Sequence, residues 1–188
     1  MKHIIETEIS SHLKSAEQLE KISGDIEVAA KLSINTLSNN NKILLCGNGG
    51  SAADSQHIAA ELVGRYKRTR EGLSAIALTT DSSILTSISN DFEFDDVFSR
   101  QIEALAHQND LLFAFSTSGN SKNIINAAKK CNSLKCKVIS FTGAKDSELM
   151  NYSDLVIKAP SIDTPRIQEM HILIGHIICE IIDNTLSS

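Results

Sequence analysis

The stretch ILLCGNGGSAADSQHIAAEL, residues 43–62, decides the reading of the fold. The run from Ile43 to Cys46 has the length and aliphatic character of a buried strand. Glycines 47, 49 and 50 follow at once, and from Ser51 the apolar positions take helical spacing. A strand that ends in glycines and opens a helix is one βα unit of a parallel sheet, in which free backbone N–H groups and the positive helix end face the same crevice. Beyond the glycines, His57 and Glu61 stand four apart and share one helical face.

The same texture recurs along the chain. Strands are expected at Ile43–Cys46, Ala75–Leu78, Leu111–Phe115, Lys137–Phe141 and Leu155–Ile157, with helices at 51–66, 82–89, 95–106 and 121–133. A final helix is expected from Thr164 to about Thr185, with Pro165 tolerated in its first turn. Residues 4–39 carry apolar side chains at helical spacing and predict a helical hairpin punctuated by Gly24. No repeat, low-complexity tract or linker divides residues 1–188, so one α/β domain is expected, a five-stranded parallel sheet flanked by helices. The final helix is apolar on more than one face around Ile172, Leu173, Ile177, Ile178 and Ile181. Together with residues 1–40 it reads as a subunit interface, burial within one chain being the other reading.

Composition narrows the function classes. The 188 residues are 41% hydrophobic and 22% charged, ordinary for a globular protein, and with no Trp the core must be largely aliphatic. A net charge of −5 leaves no broad positive field for a nucleic-acid backbone, so no nucleic-acid partner is expected. The basic run Arg65-Tyr66-Lys67-Arg68-Thr69-Arg70 reads as a solvated loop or subunit rim, with contact to an anion as the alternative. Cys46, Cys131, Cys136 and Cys179 form no C-x-x-C pair and lie among apolar residues, as buried reduced thiols do. Met1–Glu6 has no signal-peptide character and no run is long enough to span a membrane, so a cytoplasmic location is expected.

Two strand ends are rich in small polar residues. Gly47-Asn48-Gly49-Gly50-Ser51 follows the first strand, and Ser116-Thr117-Ser118-Gly119-Asn120-Ser121 follows the third. Four hydroxyls within six residues at a helix start suit a monophosphate, where a plain N-cap needs only one or two. The first corner matches G-x-G-x-x-A from Gly47 to Ala52, the outline of a dinucleotide fingerprint. The acidic residue such a site wants about 20 residues on is absent, Tyr66-Lys67-Arg68 standing there, and there is no P-loop.

The titratable residues leave more open. His57 and Glu61 form either half of a metal site, a base with its orienting partner, or a surface pair. Gln168, Glu169, His171, His176 and Glu180 are polar positions on the apolar final helix. Glu169 and His176, seven apart, lie nearly in line, whereas Gln168 is about 80° away around the helix. Spacing alone prefers the first pair and identifies no functional residue.

Taken together, CGNGGSAADSQHIAAELVGRY, SNDFEFDDVFSRQIEA, STSGNSKNIINAA, KVISFTG and TPRIQEMHILIGHIICE resemble the phosphoheptose isomerases of the SIS, or sugar isomerase, fold over essentially the whole chain. The resemblance implies conversion of sedoheptulose 7-phosphate to D-glycero-D-manno-heptose 7-phosphate through an enediolate. This would open the supply of nucleotide-activated heptose for lipopolysaccharide or surface polysaccharide. It implies a homotetramer with active sites at subunit interfaces and one zinc per subunit, held by His57, Glu61, Gln168 and His176. Glu61 and His176 are then the catalytic acid–base pair. Asn48, Gly49, Gly50, Asn90 and Asp91 line the sugar together with Glu61 and Gln168, and Ser116, Thr117, Ser118 and Ser121 hold the phosphate. Asp54 orients a catalytic group, binds the sugar, or simply favours the helix start. Pro165 stands where some relatives carry an acidic residue, so no role transfers there, and Arg166 is a candidate contact. The rival classes are a non-enzymatic SIS protein that binds the replication initiator, and an isomerase or deaminase of another sugar phosphate.

Overall fold

A computed structural model describes residues 1–186. Five strands form one parallel sheet: β1 (Ile43–Gly47), β2 (Ala75–Ala77), β3 (Leu111–Phe115), β4 (Lys137–Thr142) and β5 (Leu155–Lys158), in the order β2-β1-β3-β4-β5. β1 pairs in register with β3 from Ile43↔Leu111 to Gly47↔Phe115. Alternate side chains leave the sheet on opposite faces, and both faces are covered, which is why these strands read as unbroken apolar runs rather than as alternation. Ile43, Leu45, Phe113, Phe115 and Phe141 enter one core; Leu44, Cys46, Leu112, Ala114 and Val138 enter the other.

Helices α2 (Ser23–Ser38), α3 (Gly50–Val63) and α7 (Thr164–Leu186) cover the first face. The second is covered by α5 (Ser99–Leu105) and α6 (Lys122–Ser133), with Leu85 and Ile88 of α4 (Ser82–Asp91) at its margin. At the N-terminal end of the sheet the Asp110 carboxylate accepts hydrogen bonds from the Lys42 and His107 N–H groups and pairs with Lys42 Nζ at 2.6 Å. It ties together the starts of β1 and β3.

Three expectations change. The first helical region is α1 (Lys2–Glu17) joined to α2 by a 3-10 stretch at Gln18–Ile22. Gly24 lies inside the first turn of α2, and α1 and α2 both pack chiefly on α7 rather than as a hairpin on each other. A lone Gly inside a helix is a modest cost and not a break. The segment expected as one helix over 95–106 is divided into a 3-10 turn at Phe94–Asp96 and α5, and α3 ends at Val63 where Gly64 follows.

The contact that matters for the site is between α3 and α7. Gln168 meets Gly50 and Gly175 meets Ile58, so the two helices run in the same direction and close together. A Cβ on Gly175 would lie 2.5 Å from Ile58 Cδ1, and Ile58 is itself fully buried with nowhere to swing. In an exposed helix Gly→Ala gains about 1 kcal/mol; here Gly175→Ala is expected to lose about 1–3 kcal/mol through overpacking, read from urea denaturation midpoints. Adding Ile58→Val, which removes Cδ1, should restore part of that loss.

Candidate functional site

The order β2-β1-β3-β4-β5 reverses direction between β1 and β3, and ligands in open parallel sheets bind outside the strand C-termini at such a point. Both polar corners lie there. Gly49 begins α3 with a φ of 56°, a conformation glycine adopts without strain, and its carbonyl accepts from the Ala52 N–H. The Asn48 and Asn123 amides exchange hydrogen bonds of 2.9 and 2.8 Å, joining the glycine corner to the start of α6 across the switch point. Asn123 is buried, and sequence reading overlooked it because an Asn at a helix start ordinarily serves the backbone.

In the serine corner, Ser116 Oγ accepts from the Gly119 N–H at 3.1 Å and lies 3.2 Å from Ser121 Oγ. Ser118 Oγ accepts from the Asn120 N–H. Ser121 occupies the N-cap position of α6, yet its side chain makes no cap hydrogen bond. The Ser121 hydroxyl is therefore not spent on a helix cap, while those of Ser116 and Ser118 accept from the backbone of the turn itself. The corner borders a cavity of about 260 Å³, with Thr117, Ser118 and Asn120 on one side and Lys145, Ser161 and Thr164 on another.

His57, Glu61 and His176 converge from α3 and α7. Their nearest ligating atoms all lie within 4.8 Å of one another. His57 Nε2 is 3.1 Å from Glu61 Oε1 and 3.0 Å from His176 Nε2. Two nitrogen ligands on tetrahedral zinc, each at about 2.0–2.1 Å, stand roughly 3.3 Å apart. Two imidazoles and a carboxylate facing one point thus fit a divalent transition metal in both type and spacing. Burial, then His57, with a smaller push from Lys67, hold the His176 pKa below the usual histidine value against the attraction of Glu61. A neutral His176 keeps the lone pair that a ligand or base needs. Asp54, one turn earlier on α3, is pushed up to about 6 by burial, offset by attraction to His57, and its Oδ2 is buried without a partner.

The remaining polar positions of α7 separate cleanly. The Gln168 amide lies against Gly50, at the first turn of α3. Glu169 faces the other way: it pairs with His12 of α1 at 2.7 Å and with Arg166. Alignment with His176 along the helix therefore does not bring Glu169 to it. Arg166, the candidate contact, is buried, with its Nη atoms held by Glu8 and Glu169 and its Nε without a partner. His171 is fully buried, bonded through Nε2 to the Thr142 carbonyl and packed near Phe115 and Phe141. Burial pushes it down to about 4, against the Thr142 bond, so it stays neutral. Asn90 and Asp91 bond to each other at the exposed end of α4 and make no hydrogen bond to either corner.

Two further neighbours lie past the end of α3 at Val63: Tyr66, at the end of the helix expected over 51–66, and Arg70, in the basic run. Tyr66 stacks on the His176 ring, centroids 5.5 Å apart. Within the basic run the Arg70 side chain alone departs from a solvated loop: it is almost fully enclosed against Asp183, while Arg65, Lys67 and Arg68 are exposed.

Residues 8–143 match the SIS domain model. The phosphoheptose isomerase of Aliarcobacter butzleri is 55% identical over the full length of both chains. The chain belongs to the phosphoheptose isomerase family. A second member, from Helicobacter hepaticus, is 50% identical over 98% of this chain and 94% of its own. The solved phosphoheptose isomerase of Neisseria gonorrhoeae superposes with a TM-score of 0.93 at 41% identity, covering 97% of this chain and 98% of that one. The family's parallel sheet and flanking helices are thus those described above, and no described helix is long and apolar enough to cross a membrane.

The Gly50–Gln168 contact is testable by itself. A Cβ on Gly50 would lie 2.6 Å from Gln168 Nε2, the end of a flexible side chain, so Gly50→Ala should displace that amide and leave the fold intact. The expected outcome is a thermal midpoint within a few degrees of wild type, about 1 kcal/mol or less. Activity should fall by the same factor as in Gln168→Ala, and the double variant should be no worse than either.

Proposed function

We propose that the chain isomerises sedoheptulose 7-phosphate to D-glycero-D-manno-heptose 7-phosphate. The observation that carries this reading is the convergence of His57, Glu61 and His176 from two helices beside the glycine corner. Aldose–ketose isomerisation removes a proton from C1 of the ketose, returns one to C2, shifts the hydroxyl proton from O1 to O2, and passes through an enediolate. That needs two groups that exchange protons at adjacent carbons. Glu61 presents Oε1 to His57, and its second oxygen takes the C1 proton; His176, held neutral, serves the C2 side.

His57, Glu61, Gln168 and His176 would hold one zinc ion per subunit. Bound there, zinc supplies Lewis acidity toward the carbonyl and hydroxyl oxygens of the substrate. Ser116, Thr117, Ser118 and Ser121 hold the phosphate with backbone N–H groups of the α6 start. Asn48, Gly49, Gly50, Asn90 and Asp91 line the sugar, and Asp54 orients His57 or bonds a hydroxyl. Asn90 and Asp91 reach the sugar in the assembled oligomer, which we take to be a homotetramer with sites at its interfaces. Support comes from the apolar surface left on one chain: Ile4, Ile5, Ile9 and Leu13 of α1 are more than half exposed. Beside them runs a groove formed by Leu19, Ile26, Leu173, Ile177 and Ile181. We place the reaction in the cytoplasm, as the first step toward nucleotide-activated heptose for lipopolysaccharide or surface polysaccharide.

With zinc added, purified protein should form the aldose from sedoheptulose 7-phosphate, followed by coupled conversion of the product. Glu61→Gln and His176→Gln, folded by circular dichroism, should each lose about 10²–10⁴-fold in kcat. Wild-type rates in both variants would remove the acid–base assignment.

A further inference from the structure

The basic run that follows α3 contains a buried ion pair with an unusual set of partners. Arg70 Nε donates to Asp183 Oδ1 at 2.7 Å, and both side chains are almost fully enclosed. The other guanidinium nitrogens donate to backbone carbonyls: Nη2 to Glu61 at 3.0 Å and Nη1 to Leu62 at 2.9 Å and Glu71 at 3.0 Å. Asp183 Oδ2 accepts from the backbone N–H groups of Lys67 and Arg68 at 2.8 and 3.0 Å. One arginine thus caps the last turn of α3 at the residue that bears the Glu61 carboxylate. One aspartate of α7, seven residues past His176, closes the loop that places Tyr66 on the His176 ring.

A surface loop does not need this. Removing two charges from water is costly, and the cost is offset here by hydrogen bonds at all three guanidinium nitrogens and both carboxylate oxygens. What the arrangement provides is a fixed distance between the end of α3 and the last turn of α7. Gly175 lets the helices approach, and the ion pair stops them sliding.

We propose that Arg70 and Asp183 are positioning residues that set the spacing of Glu61 and His57 against His176, and that Tyr66 holds the His176 ring in the orientation that spacing requires. The proposal rests on the isomerase reading for its rate measurements. Its zinc measurements stand independently of that reading. The pair makes no contact with the serine corner, so kcat and zinc affinity should change while KM does not.

The experiment compares Asp183→Asn, Tyr66→Ala and Tyr66→Phe in the full-length protein with wild type. Asp110→Asn is the control, because it breaks another buried ion pair, at the opposite end of the sheet. Each is assayed with sedoheptulose 7-phosphate and titrated with zinc against a chromophoric chelator, at a temperature where circular dichroism shows it folded. Residues that orient metal ligands typically matter by about 10–100-fold. Asp183→Asn should therefore lose about that much in kcat and about tenfold in zinc affinity, with KM within about twofold. Tyr66→Ala should lose about tenfold in kcat, and Tyr66→Phe, which keeps the stacked ring, should retain the wild-type rate. Asp110→Asn should lose stability and keep both values. Absence of turnover in wild type would count against the isomerase reading and leave the zinc comparison to decide the positioning role. Zinc affinity in Asp183→Asn equal to that of Asp110→Asn overturns the proposal. So does a wild-type kcat in Tyr66→Ala, the variant that decides the question if Asp183→Asn does not fold.

Discussion

The close parallel packing of α3 on α7 is the constraint on which the rest depends. Neither helix alone carries the cluster: α3 offers His57 and Glu61, α7 offers His176, and only their approach makes one group of the three, with Gln168 of α7 meeting Gly50 at the start of α3. Two glycines permit it. Gly50 accepts the Gln168 amide and Gly175 accepts Ile58, each in a space that a methyl group would fill. Because core packing is close to that of an organic crystal, the Gly175–Ile58 contact admits little adjustment without opening the interface between the helices, whereas at Gly50 the flexible end of Gln168 can give way.

The sheet places this helix pair where chemistry can use it. β1 and β3 are adjacent and in register, so the glycine corner and the serine corner emerge side by side at the switch point. The reciprocal Asn48–Asn123 amides fasten those corners to one another. At the other end of the same strands, the Lys42–Asp110 pair fastens their beginnings. The proposed reacting groups and the serine corner are therefore parts of one stiff frame, which would suit a reaction that moves protons between adjacent carbons of a tethered substrate.

Much of this was legible in the residues. Aliphatic runs bounded by glycine or serine marked all five strands to within one residue at either end, because strands covered on both faces need apolar side chains throughout. The two corners were legible as polar strand ends that the sheet would bring to its switch point. The division within α7 was not. His171 and His176 are alike in sequence, and only the structure puts one among Phe115 and Phe141 and the other opposite His57. Family resemblance selected His176 and Gln168 where spacing favoured Glu169, and the α1 contact of Glu169 supplies the physical reason. Arg70 escaped for a related cause: a basic run reads as solvated unless a buried partner is known, and Asp183 lies more than a hundred residues away.

The central claim is that His57, Glu61 and His176 are held for one metal ion. X-ray absorption at the zinc edge of the zinc-loaded protein tests it most directly. The account predicts a shell of nitrogen and oxygen at about 2.0–2.2 Å that includes two imidazoles, one of them lost in His176→Gln. A shell without imidazole, or a sulfur scatterer at about 2.3 Å from one of the buried cysteines, would contradict it.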